Sequence, residues 1–169
     1  DRVGKQAQIE QKFDGFRMQV HKKDNKIIIF TRRLENVTKQ FPEVVQYIKD
    51  HVIGDEFIIE GEAIGYDPKT KRYMPFQNIS QRIKRKYNIE EMVKTLPVEL
   101  QLFDVVYYNG KSLIKTPFKQ RRALLEKIVK QEKWKIMIAK ALVTSDIKEA
   151  EEFYHQALAE GHEGVMGKN

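Results

Sequence analysis

Cysteine is absent from the 169 residues, which removes disulfides and thiolate metal sites and, with them, any chemical argument for an oxidising compartment. Also missing is an apolar run long enough to cross a bilayer, and the opening residues, Asp1-Arg2-Val3-Gly4-Lys5, lack the apolar stretch of a signal peptide. The expectation is a soluble, intracellular chain, cytoplasmic if the source is a prokaryote, with no membrane partner. Internal repeats, low-complexity tracts and linker-like segments are missing too, so one domain over residues 1–169 is expected. The first residue is not methionine, and residues 165–169 break off inside an apolar strand pattern. The domain is therefore expected to be incomplete at its C-terminus, a piece of a longer polypeptide.

What is present is enough for one real core, since hydrophobic residues make up 41% of the chain and charged residues 33%. Lysine and arginine number 31 against 24 acids, a formal charge of +7, which favours an anionic partner such as a nucleotide or nucleic acid. Charge of this kind argues for association and says nothing about fold.

Alternation of apolar and polar residues predicts strands at 8–12, 16–22 and 26–31, read as an antiparallel meander with a turn at Lys23-Asp24-Asn25. Pro42 and Glu43 suit the first turn of a helix over 41–49. A strand at 56–66 follows, then helices at 76–86 and 89–96 and a strand at 98–108 ending in Asn109-Gly110, a common hairpin turn. Beyond it the pattern predicts a helix at 117–131, short strands at 135–139 and 141–144, and a helix at 146–160 capped by Gly161. Mostly antiparallel strands with flanking helices point to an α+β fold.

The most informative stretch is Ile9-Glu10-Gln11-Lys12-Phe13-Asp14-Gly15-Phe16-Arg17, which puts a lysine at a strand end among acids and an arginine. Glu10 and Lys12 share a strand face, and Asp14-Gly15 is turn chemistry. A lysine used as a nucleophile must attack as the neutral amine, a state that desolvation or a neighbouring cation favours. Most lysines, however, are solvated strand residues, and Lys-x-Asp-Gly alone is a short pattern that recurs by chance. Downstream lie Phe57-Ile58-Ile59-Glu60-Gly61-Glu62-Ala63, Leu102-Phe103-Asp104-Val105-Val106-Tyr107 and Glu163-Gly164-Val165-Met166. Glu60 and Glu62 face the same way, flanking a glycine expected to let a ligand approach the backbone, or else form an exposed edge pair. Phe103 fits a core position equally well.

In order, spacing and residue type these motifs resemble the nucleotidyltransferase domain of ATP-dependent DNA ligases, an ATP-grasp-like fold, and Thr31-Arg32-Arg33-Leu34-Glu35-Asn36-Val37-Thr38 resembles the archaeal branch. The resemblance implies that Lys12 becomes adenylylated by ATP with Mg²⁺, and that Arg17 and Arg32 meet the nucleotide. It also implies that Glu62 supports the ribose and metal region and Glu163 the phosphates and metal. Phe103 would stack on adenine opposite Met166, Glu10 would accept from the adenine amino group, and Gln11 would offer backbone contacts. The implied partners are ATP and nicked duplex DNA, sealed in replication, repair and recombination, and the expected state is a monomer. The lysine pair that follows Glu163-Gly164 in the family is missing here, so the chain is expected to label itself slowly and not to close nicks unaided. Three alternatives stay open: an RNA ligase, a capping-type guanylyltransferase, and a noncatalytic nucleic-acid-binding module.

Two further groups bear on function. Arg82-Ile83-Lys84-Arg85-Lys86-Tyr87 either grips DNA phosphates or is a solvated helix face. His155 and His162 have no third ligand at a metal spacing, so zinc is not expected.

Overall fold

The computed structural model describes residues 7–168. In chain order the strands are β1 (Ala7–Lys12), β2 (Phe16–Lys23), β3 (Lys26–Thr31), β4 (Glu56–Asp67), β5 (Arg72–Tyr73), β6 (Val98–Tyr108), β7 (Lys111–Ser112), β8 (Ile136–Ile138), β9 (Ala141–Thr144) and β10 (Gly164–Lys168). The helices are α1 (Pro42–His51), α2 (Phe76–Ile83), α3 (Ile89–Thr95), α4 (Phe118–Ile128) and α5 (Ile147–Ala159), with a 3-10 turn at Thr38–Gln40. They fall into two compact units, Gly15–Ile138 and the residues on either side of it, up to Asp14 and from Ala139 onward.

In the central unit, strands run in the order β3-β2-β4-β6-β7, with β5 on β4 and β8 on β6. All pairs are antiparallel except β6 with β8. Alternation along β2 turns Phe16, Met18 and Val20 into the core, which leaves Arg17, Gln19 and His21 on the opposite face. Ile59 of β4 and Leu100, Leu102 and Val105 of β6 continue the apolar face. Phe41, Val44 and Ile48 at α1, Ile79 of α2, and Leu125 and Ile128 of α4 close over it. Burying each such large side chain contributes about 1.5–3 kcal/mol, so this layer is what holds the polar face of β2 and β4 rigid.

In the other unit β1 lies between β9 and β10, both antiparallel to it, and α5 packs on this sheet with Ala157 fully buried. Asp146 caps α5 by accepting from the Lys148 backbone N–H.

Three expectations are corrected here. The first three strands are not one meander: β2 and β3 form the expected hairpin, but β1 pairs with β9 and β10 in a separate sheet. At the break, Gly15 passes so close to β4 that a Cβ would sit 2.1 Å from the Ala63 carbonyl oxygen. Gly61 does not open the backbone to a ligand, because its missing Cβ faces the Gln101 carbonyl oxygen of β6 at 2.7 Å. Strand-to-strand approach within the sheet needs that glycine. Helix α2 also stops at Ile83, so the basic residues after it lie in a loop.

Candidate functional site

Lys12 is the last residue of β1, opposite Gly164 in the register with β10. Its Nζ lies 3.3 Å from Glu163 Oε2, with the two side chains 53% and 42% exposed. The Glu163 backbone N–H donates to the Lys12 carbonyl at 3.0 Å, so main chain and side chain join the same two residues. The residues beside the pair in sequence also meet, Phe13 packing edge-on against His162 at 4.7 Å between ring centroids. An amine that is fixed at its base and half open to solvent at its tip is accessible to a ligand.

Glu10, buried, stands opposite Met166 in the same register and accepts from Gln8 Nε2 at 2.8 Å. Met166 is 39% exposed. Gln11 is buried as well; its side-chain amide donates to Glu160 Oε2 at 2.7 Å and its backbone N–H to the Lys140 carbonyl at 3.3 Å. Burial alone would raise the Glu160 carboxyl, but hydrogen bonds from Lys140 (2.6 Å) and Gln11 outweigh it and hold it below the ordinary range.

The central unit carries the remaining residues that the motifs single out. Arg17 donates through Nη2 to Glu60 Oε2, and its guanidinium stands 5.6 Å over the ring of half-buried Phe103. Glu62 pairs with Arg17 in the register of β2 and β4. Arg17, Arg32, Gln19, Thr31, Leu34 and Glu60 line one cleft of about 230 Å³, so both arginines border a single hollow. Glu60 is buried rather than an exposed edge acid: β4 is flanked by β2 and β6, and Arg17 and Gln19 each meet one of its oxygens. A larger hollow of about 500 Å³ at the β2–β3 turn, bordered by His21, Lys23, Lys26 and Tyr107, is lined by none of the candidate site residues.

The basic run divides. Arg82 is neither a phosphate grip nor a solvated residue: it is 1% exposed, pairs with Glu43 at 2.5 and 2.7 Å, and donates to the Gln40 and Leu96 carbonyls. Of the run, Lys84, Lys86 and Tyr87 are exposed, and Arg85 is half-buried. Among the described residues no three acids or histidines gather at a metal-holding distance. Also among them, no helix is long and apolar enough to cross a membrane.

Sequence reading missed Gln19, His21, Lys140 and Glu160. The first two had a signal, standing two and four residues after Arg17 and so on its strand face. Besides Gln156 one helical turn earlier, the partners of Glu160 come from β1 and from the residue before β9, which its neighbours in sequence do not reveal.

The family model for the ATP dependent DNA ligase domain matches residues 1–169. The chain belongs to that family. It is 52% identical over 169 residues to a DNA ligase of Nanoarchaeum equitans and 50% identical over 166 residues to one of Thermococcus onnurineus. These alignments take in 100% and 98% of this chain but 30% and 29% of those proteins, so the chain spans under a third of their length. Among solved structures, a mycobacterial DNA ligase D complexed with ATP and MES superposes with a TM-score of 0.68 at 23% identity, covering 98% of this chain and 49% of that one. That likeness shows the fold, and the α+β reading with mostly antiparallel sheets agrees with it.

Proposed function

We propose that this family member is the adenylation domain of an ATP-dependent DNA ligase and that Lys12 is its nucleophile. The observation that carries the reading is the half-exposed Lys12 amine, 3.3 Å from the Glu163 carboxylate at the strand end where the lysine motif falls. The half-exposed amine loses its proton to solvent and attacks the α-phosphorus of ATP in line. A nitrogen–phosphorus bond forms, the bond from the α-phosphorus to the bridging oxygen breaks, and pyrophosphate leaves. Phosphoryl chemistry of this kind depends on positioning and charge neutralisation, the work assigned to Arg17 and Arg32 around their shared cleft.

Phe103 stacks on adenine and Met166 serves as its apolar counterpart, while Glu10 accepts from the adenine amino group and Gln11 lies alongside. Glu62 supports the ribose. Magnesium suits the donors present, hard carboxylate oxygens, and needs only one or two of them when phosphates supply the rest. Glu163 and Glu62 would hold it, and bound there it would neutralise phosphate charge.

The lysyl adenylate then passes AMP to the 5′-phosphate of a nick, and the adjoining 3′-hydroxyl displaces it, sealing duplex DNA in replication, repair and recombination. The setting is a prokaryotic cytoplasm and the working state a monomer. Offering the chain α-labelled ATP or GTP tests the reading: label from ATP alone should survive denaturation and be released by acid. GTP labelling would move the reading to a capping enzyme. DNA binding with no label from either nucleotide would leave a binding module.

A further inference from the structure

We propose that Gln19 and His21 are positioning residues for Arg17, acting through Glu60; this rests on the reading above in which Arg17 serves the bound nucleotide. The three lie at alternate positions of β2, in a row on the face away from the core. Arg17 donates to one oxygen of Glu60, Gln19 Nε2 donates to the other at 3.0 Å, and His21 Nε2 meets Gln19 Oε1 at 2.7 Å. The row is a chain of donors ending on one carboxylate.

Direction is what gives the chain its effect. A primary amide has one donating and one accepting end, and a carboxylate only accepts, so Gln19 must turn its nitrogen to Glu60 and its oxygen away. His21 caps that oxygen with an N–H and thereby selects the orientation. If the amide turned over, its oxygen would face the carboxylate, and Glu60 would lose a donor while keeping its charge. Glu60 has a side-chain exposure of 11%, so water is poorly able to replace the lost bond.

His21 is itself fixed, its ring edge-on to Phe30 at 5.1 Å and 77°. Burial holds its imidazole below the ordinary range, and because Nε2 faces an amide oxygen, which only accepts, the proton of the neutral ring is assigned to Nε2. At the other end of the chain, Arg17 is 47% exposed and touches Glu60 and the Phe103 ring. With so much of it in solvent, the Glu60 pair sets where its guanidinium points.

The test compares His21→Leu, Gln19→Leu and the double variant in lysyl-adenylate formation at saturating ATP. Each single change should slow the saturated rate about tenfold, the scale of a small misplacement of a positioning group, with little change in KM. The double variant should be no slower than Gln19→Leu, because His21 acts through Gln19. His21→Gln, which restores a donor, should recover most of the rate, whereas a merely structural role would lower stability and leave the rate per folded molecule intact. Independently of catalysis, the Arg17 guanidinium NMR signal should be sharp in the parent and broadened in His21→Leu. Full rates, additive losses or an unchanged Arg17 signal overturn the proposal. A parent chain that never labels refutes the adenylation reading instead, and the Arg17 signal still decides the positioning.

Discussion

Arg82 and Glu43 form a two-bond ion pair inside the central unit, Nη1 to Oε2 at 2.5 Å and Nη2 to Oε1 at 2.7 Å, with side chains 1% and 6% exposed. Burial pushes the Glu43 carboxyl up and the neighbouring Arg82 guanidinium pulls it back, so the pair is a balance of desolvation against attraction. Arg82→Met removes one side of that balance and strands the other. The expected loss is about 3–5 kcal/mol in chemical denaturation. Adding Glu43→Leu should restore part of it, since no buried charge then lacks a partner; a single variant as stable as the parent would refute the account.

Acid should weaken the smaller unit through Glu160. Its folded carboxyl is held below the ordinary carboxylate range by Lys140 and Gln11, with His162 adding to the pull, so its contribution is fully present above that range. As pH falls through the ordinary carboxylate range toward the folded value, the contribution is lost. Unfolding followed against pH should show the parent more stable than Glu160→Gln at neutrality, with the gap closing on acidification. A gap that holds at low pH contradicts the assignment.

Gly15→Ala should strain the start of β2, because the added methyl would lie 2.1 Å from the Ala63 carbonyl oxygen and a backbone atom inside a sheet cannot swing aside. A loss of about 1–3 kcal/mol is the scale of such overpacking. Thermal unfolding checks it, and an unchanged midpoint would mean that the strand entry is looser than described.

Phe103→Ala tests the nucleotide reading from the side of the base. Stacking of a base on an aromatic ring is worth about 1–3 kcal/mol, so ATP affinity should fall by roughly tenfold or more. Phe103→Tyr should keep most of it. Because Arg17 also rests over this ring, a fall in labelling rate alongside the fall in affinity is expected for Phe103→Ala.

Local signals in the chain carried much of this architecture. The β2–β3 hairpin, the Pro42 start of α1 and the Asn109-Gly110 turn into β7 follow from neighbours in sequence, and all three occur. Strand partners were another matter: alternation at 7–12 says that β1 is a strand but not that its neighbours are residues 141–144 and 164–168. For the same reason Arg82 was misread, since only Glu43, brought in by a different helix, makes burial of a guanidinium possible. Gly61 was legible as a close approach, but the group approaching is the Gln101 carbonyl. Lys12 and Glu163 stand out in the sequence by their motifs, and the structure brings them together at 3.3 Å. Gln19 and Glu160 escaped notice because the groups they meet, Glu60 of β4 and Gln11 of β1, are brought to them by strand pairing and packing that residue type alone does not encode.

Intact-protein mass after extended incubation with ATP and magnesium tests the central claim most directly. The predicted result is a gain of one adenylyl group in the parent chain, mapped to Lys12, abolished in Lys12→Ala and reversed by acid. A folded parent chain that binds ATP yet gains no mass, or an adduct that persists in Lys12→Ala, would contradict it.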